Sequence, residues 1–142
     1  MDLGTRRIGL AVSDATGTLA SPLTILERAS DHATDHTSLL GIARDEGAEG
    51  IVVGLPRSLS GDDGPAARAA RDEVEELRHM AGSGLPVELH DERFTTVTAT
   101  RRLHETRRGR SKREPVDAAA AAEMLQSYLD AVDAGRRARR TR

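Results

Sequence analysis

Between Glu49 and Leu55 the chain sets Ile51, Val52 and Val53 side by side, and Gly54 and Leu55 complete an unbroken apolar stretch. A strand with one wet face alternates apolar and polar residues, so a short unbroken stretch marks a central strand covered on both faces. Covering both faces takes helices above and below a sheet, which restricts the fold to a layered α/β architecture. Helical patterns flank the stretch as that architecture requires. Thr34 to Glu46 carries Leu39, Leu40, Ile42 and Ala43 at helical spacing and stops at Gly47. From Gly64 the positions Ala67, Ala70, Val74 and Leu77 repeat the same period to about Met80, and Gly82-Ser83-Gly84 closes it.

Ile8 to Ser13 reads as a short buried strand, with Gly4 and Thr5 marking the turn before it. Its partner is a strand ending near Leu3. Met1 stands directly before Asp2, so the chain begins inside that strand and the first strand is expected to be truncated, as a start set too late, at a GTG valine codon, would produce. Leu19 to Leu26 is a third strand, whose Pro22 favours a strand start or a sheet edge. Val87 to His90 is the fifth. Thr95 to about Thr106 reads as a polar helix, Arg107 to Glu114 as a basic loop and Val116 to Ala134 as the final helix. Three strands that can pair as hairpins, followed by alternating helix and strand, predict a five-stranded mixed sheet with helices on both faces. Residues 1–135 form one domain, and 136–142 are expected to be a basic, disordered tail.

The formal charge of −2 conceals a sharp asymmetry. Seven of the thirteen residues from Arg101 to Arg113 are basic and only Glu105 opposes them, while the tail adds five arginines. Twenty of the 21 basic residues are Arg. That preference suits bidentate phosphate contact, and a GC-rich coding sequence would produce it equally. One Phe, one Tyr and no Trp leave no base-stacking platform, so nucleic-acid binding would rest on phosphate charge. The absence of Cys excludes disulfides and thiolate zinc sites. No membrane-spanning or signal-like segment stands out, and a cytoplasmic protein is expected.

Three acids lie at the edges of apolar segments: Asp2, Glu92 and Asp117. Magnesium takes one or two carboxylates plus waters and substrate phosphate, and a pair of such ions can activate water against a phosphodiester. Asp2 precedes Gly4 and Gly9, which would let backbone pass close to a ligand, although an Asp in a hairpin turn has no need of one. Glu92 sits between Asp91 and Arg93 and reads equally as a solvated loop acid. Asp117 shares a helix face with Ala121, Met124, Leu125 and Tyr128, where an acid is costly unless it binds something. Within the first turn after Pro115 it also answers the helix dipole. Thr95 and Thr96 could cap a helix or touch a phosphate. The loop from Pro56 to Pro65, with Gly61 and Gly64, matches neither a Walker P-loop nor a dinucleotide fingerprint. The histidines at 32, 36, 79, 90 and 104 show no metalloprotease spacing and read as surface residues.

Taken in order, Asp2-x-Gly4 with Arg6, Arg7 and Gly9, then Ala11-Val12-Ser13-Asp14, Val53-Gly54-Leu55-Pro56 with Gly61, Gly64 and Ala67, Asp91-Glu92-Arg93 with Thr95-Thr96, and Val116-Asp117 with Ala120-Ala121 and Leu125 to Leu129 resemble the YqgF family, also called RuvX, of the RNase H-like superfamily. The resemblance spans nearly the whole chain. It implies an RNase H-like sheet with Asp2, Glu92 and Asp117 as catalytic acids holding Mg2+ or Mn2+. It further implies a nuclease maturing the 5′ end of the 16S ribosomal RNA precursor, with cleavage of four-way DNA junctions as the older proposal. The chain departs from the family pattern where the glycine and apolar strand normally precede the first Asp.

The substrate is then structured RNA, the 16S precursor, or branched DNA. Arg6, Arg7, Arg93, Thr95, Thr96, Arg107, Arg108, Arg110, Lys112 and Arg113 are the candidates for holding its backbone. Junction cleavage requires a homodimer matching a two-fold junction, whereas RNA trimming is open to a monomer or a homodimer. A non-catalytic ribosome-assembly factor would use the same basic surface without turnover. An actin-like phosphotransferase also uses an Asp-x-Gly turn but needs a second half-domain that 142 residues cannot supply.

Overall fold

A computed structural model describes residues 1–55, 64–91 and 116–141, with side chains of the final helix from Asp117 onward. Its elements are β1 (Asp2–Leu3), β2 (Arg7–Ser13), β3 (Ala20–Glu27), α1 (His32–Asp45), β4 (Ile51–Leu55), α2 (Pro65–Ala81), β5 (Val87–Asp91) and α3 (Val116–Arg140). The strands form one sheet in the order β3-β2-β1-β4-β5. β2 is antiparallel to both β1 and β3, and β1, β4 and β5 run parallel.

Each strand divides its residues between two helical layers. Ile8 and Leu10 of β2 and Val53 of β4 are buried with Met1, Leu39 of α1, and Val74 and Leu77 of α2, in the core on one face. Gly9 and Gly54, one residue out of phase, face α3 on the other. β4 is therefore covered on both sides, which is why its apolar residues do not alternate. Pro22 falls in β3, an edge strand, opposite Ala11 where the β2–β3 register shifts. A proline costs no ladder bond there.

The helix ends follow local chemistry. The Asp31 carboxylate caps α1 by accepting from the Thr34 N–H at 2.8 Å. Beyond the other end Gly47 takes φ +64°, its N–H bonding Arg44 O and the Ala48 N–H bonding Ala43 O, the paired closure that a left-handed residue allows. Pro65 starts α2, where its missing N–H costs nothing.

Two expectations need correction. α3 does not stop at Ala134: it continues to Arg140, so residues 136–140 of the expected disordered tail are helical. Gly135 costs about 1 kcal/mol within a helix. Against that stand good helix formers on either side, an Asp133–Arg137 pair at 2.8 Å spanning the glycine, and arginines at the end where the helix dipole favours cations. The histidines are not uniformly superficial either, since His36 is 1% exposed. The polar helix expected at 95–106 and the basic loop at 107–114 lie outside the described residues.

Candidate active site

One row of residues crosses the sheet beneath α3. Gly9 of β2 pairs with Ile25 of β3 and with Asp2 of β1, Asp2 pairs with Gly54 of β4, and Gly54 pairs with His90 of β5. Residues directly opposite in a ladder point to the same face, so Asp2 projects toward α3 between two glycines. Those glycines let the helix settle onto the sheet. A Cβ on Gly9 would lie 2.1 Å from the Asp117 carbonyl oxygen, and one on Gly54 would lie 2.9 Å from Met124 Cγ. The first turn of α3 is thereby lowered onto β2 beside Asp2. At the far end of the row His90 Nε2 meets Ser127 Oγ at 3.0 Å, and its ring stands edge-on to Tyr128.

Asp2 and Asp117 are brought close enough to repel. Burial holds the Asp2 carboxyl above its ordinary value; the neighbouring amino terminus offsets part of this, and the Asp117 charge adds to it. The amino terminus is itself enclosed: Met1 is 7% exposed, its amine donates to Val52 O, and burial pushes the amine down to about 5. A cation is present at one side of the pair. Arg7 Nη1 lies 3.6 Å from Asp117 Oδ2, while Arg7 Nε contacts Glu27 at 3.3 Å. Asp117 keeps 43% of its side chain exposed.

Two of the three expected acids thus meet, with Arg7 beside them. Arg6 is exposed in the same hairpin. Glu92, Arg93, Thr95, Thr96, Arg107, Arg108, Arg110, Lys112 and Arg113 lie outside the described residues, as do Pro56 and Gly61. Among the described residues no three His, Asp or Glu side chains are grouped to hold a metal ion. What Asp2 and Asp117 offer is hard oxygen donors in a like-charged pair that a divalent cation would relieve, a donor set suited to Mg2+ or Mn2+. Gly9 passes close to the backbone of α3 here, a packing role that sequence alone left open.

A carboxyl whose pKa is raised on folding destabilises the folded state once ionised. Stability contributed by protonated Asp2 is present below its unfolded value and lost as pH rises through the raised one. Asp2→Asn is therefore expected to raise the metal-free melting temperature at pH 7, with the gain disappearing below the ordinary carboxylate range. Thermal melts from pH 3 to 8 measure this, and an unchanged or lower melting temperature at pH 7 would mean Asp2 is not strained.

The sheet order and the two helical layers are those of the RNase H-like fold. RuvC from T. thermophilus, solved in complex with a Holliday junction substrate, matches over 92% of this chain and 90% of its own, with a TM-score of 0.59 and 14% identity. That likeness concerns the fold. A profile of the RuvX family, described as Holliday junction resolvase, matches residues 1–131, and the chain belongs to that family. Relatives named "Putative pre-16S rRNA nuclease" include those of Paracoccus denitrificans, 42% identical over 92% of this chain and 81% of the relative, and Moorella thermoacetica, 44% identical over 92% and 91%. No helix among the described residues is long and apolar enough to cross a membrane.

The Arg28, Asp35 and Glu73 network on the opposite side of the sheet was not anticipated. One signal existed. Glu73 stands three residues after Ala70 and four before Leu77, on the apolar face of α2, and is 5% exposed.

Proposed function

We propose that this protein is a metal-dependent nuclease that hydrolyses phosphodiester bonds in structured RNA, trimming the 5′ end of the 16S ribosomal RNA precursor. The observation that carries the reading is the convergence of Asp2 and Asp117 beneath the first turn of α3, in a chain 42% identical to relatives named for this nuclease. Glu92 completes the ligand set in this reading, one residue beyond the end of β5. A bound Mg2+ or Mn2+ supplies Lewis acidity and lowers the pKa of water for attack on phosphorus. The chain's own groups prepare the site: Asp2 and Asp117 present carboxylate oxygens, and Arg7 offers a cation to a phosphate approaching the pair.

The basic run from Arg107 to Lys112 and Arg113, together with Arg6, Arg93, Thr95 and Thr96, guides the substrate backbone by charge. Counterion release makes such binding fall steeply with salt, with a slope of about 0.7 per phosphate contacted on single strands and 0.9 on duplex DNA. Replacing Arg107, Arg108 and Arg110 together with Gln is expected to reduce that slope by roughly 2 to 3 and weaken binding to all sequences alike. Filter binding of precursor RNA across salt concentrations checks this. An unchanged slope would make the run an ordinary solvated surface.

The second reading is cleavage of four-way DNA junctions, favoured by the family description and by the junction-bound RuvC of like fold. It demands a dimer matching the junction's two-fold symmetry. Cleavage of precursor RNA and of a four-way junction by the same preparation decides between the two. Precursor cut at its 5′ side, with the junction left whole, supports the first; junction cleavage alone supports the second. RNA binding without cleavage of either would identify a non-catalytic assembly factor.

A further inference from the structure

We propose that Arg28 is a positioning residue for this site, holding from behind the hairpin that carries Asp2 and Arg7; the proposal rests on the reading of Asp2 and Asp117 as the functional acids. Asp2 sits in β1, immediately before the turn that joins β1 to β2. The turn after it is closed by Gly4 N–H donating to Arg7 O at 2.9 Å, and Arg28 grips this turn twice. Its backbone N–H donates to Arg6 O at 2.9 Å and its side-chain Nε donates to Gly4 O at 3.0 Å. Gly4 is two residues from Asp2.

The rest of the guanidinium is anchored in the body of the protein. Nη1 and Nη2 bond the two Glu73 oxygens at 2.5 and 3.1 Å, and Nη1 also reaches Asp35 Oδ2 at 3.2 Å. The other Asp35 oxygen accepts the Ala29 N–H at 2.8 Å, fixing the backbone next to Arg28. Asp35 and Glu73 are 2% and 5% exposed, and the Arg28 side chain 15%. One cation thus ties α1, α2 and the end of β3 to the hairpin.

Stability alone is a weak reason for such a network, because desolvation of buried ions offsets most of their attraction. Its use of geometry is more telling. A planar fork with five donors can hold two carboxylates and still aim Nε at a carbonyl on a third segment, which a single ammonium cannot do. The Gly4 bond does nothing for the buried acids and acts only on the hairpin.

Arg28→Lys keeps a positive charge beside Glu73 and Asp35 while removing the Nε bond to Gly4. In the full chain it is expected to remain folded by circular dichroism, with Gly4 amide hydrogen exchange accelerated about tenfold in the absence of metal. Mn2+ affinity measured by calorimetry and kcat on precursor RNA are expected to fall about ten- to a hundredfold with KM unchanged, the scale on which outer partners of a metal site act. Unchanged Gly4 exchange would overturn the proposal. So would faster exchange with Mn2+ affinity intact, since Arg28 would then serve only the fold. If Arg28→Lys does not fold, the double variant Arg28→Gln with Glu73→Gln, which removes opposite charges together, is measured in the same way, and the same results support or overturn the proposal. Gly4 exchange does not depend on turnover, so a parent protein that cuts nothing would refute the nuclease reading while leaving this comparison decisive for the hairpin.

Discussion

Gly9→Ala is expected to destabilise the protein by about 3 kcal/mol and to lower cleavage about a hundredfold, although it adds only one methyl group. The added carbon would lie 2.1 Å from the Asp117 carbonyl oxygen and 2.7 Å from its carbonyl carbon, both backbone atoms of the first turn of α3. No rotamer can relieve that clash. The helix start must rise by roughly 1 Å, carrying the Asp117 carboxylate away from Asp2, and misplacement on that scale is worth about 10²-fold in rate. Gly54→Ala provides the internal control. Its new carbon would meet Met124 Cγ at 2.9 Å, on a flexible side chain that can turn aside. A cost below about 1.5 kcal/mol is expected there. Urea denaturation of the two variants and their single-turnover rates test the contrast. Equal costs would mean that α3 does not rest on β2 at Gly9.

Asp117→Asn is expected to reduce cleavage at least about a hundredfold while leaving the fold intact. The carboxylate is 43% exposed and its cationic neighbour, Arg7, lies 3.6 Å away and also contacts Glu27. An exposed pair of that kind contributes at most about 1 kcal/mol to stability. Asn keeps the shape and a hydrogen-bonding oxygen, so what is lost is the charge facing Asp2. RNA affinity in the absence of metal should stay the same or rise, because a negative charge facing the phosphate backbone is gone. Cleavage at the parental rate would remove Asp117 from the site; loss of folding would show that its role is structural.

The sheet and its helices were legible because each depends on local pattern. The unbroken Ile51 to Leu55 stretch, the period-3.6 face of α2 and the glycine after α1 each carry their reason within a few residues. The end of α3 was misread because Gly135 looks like a stop, while the Asp133–Arg137 pair that spans it is visible only once the helix exists. Asp2 and Asp117 could be nominated from their positions beside glycines and alanines. Their mutual approach was implied by the family resemblance, while its geometry depends on β1 lying between β2 and β4 and on which face α3 covers. The Arg28 network was hidden for the same reason: its members come from β3, α1 and α2, separated by up to 45 positions. Glu73 on an apolar helix face was a local sign, because a buried carboxylate needs a partner.

The central claim is that Asp2 and Asp117 form a site where a divalent cation drives phosphodiester hydrolysis. Its most direct test is a titration of Mg2+ and Mn2+ into single-turnover cleavage of 16S precursor RNA by the parent chain and by Asp2→Asn, each shown to be folded. Product appearing at the 5′ side only with metal, saturating with metal concentration and lost in Asp2→Asn, is the predicted result. Undiminished cleavage in chelator, or full metal-dependent cleavage by Asp2→Asn, would contradict it.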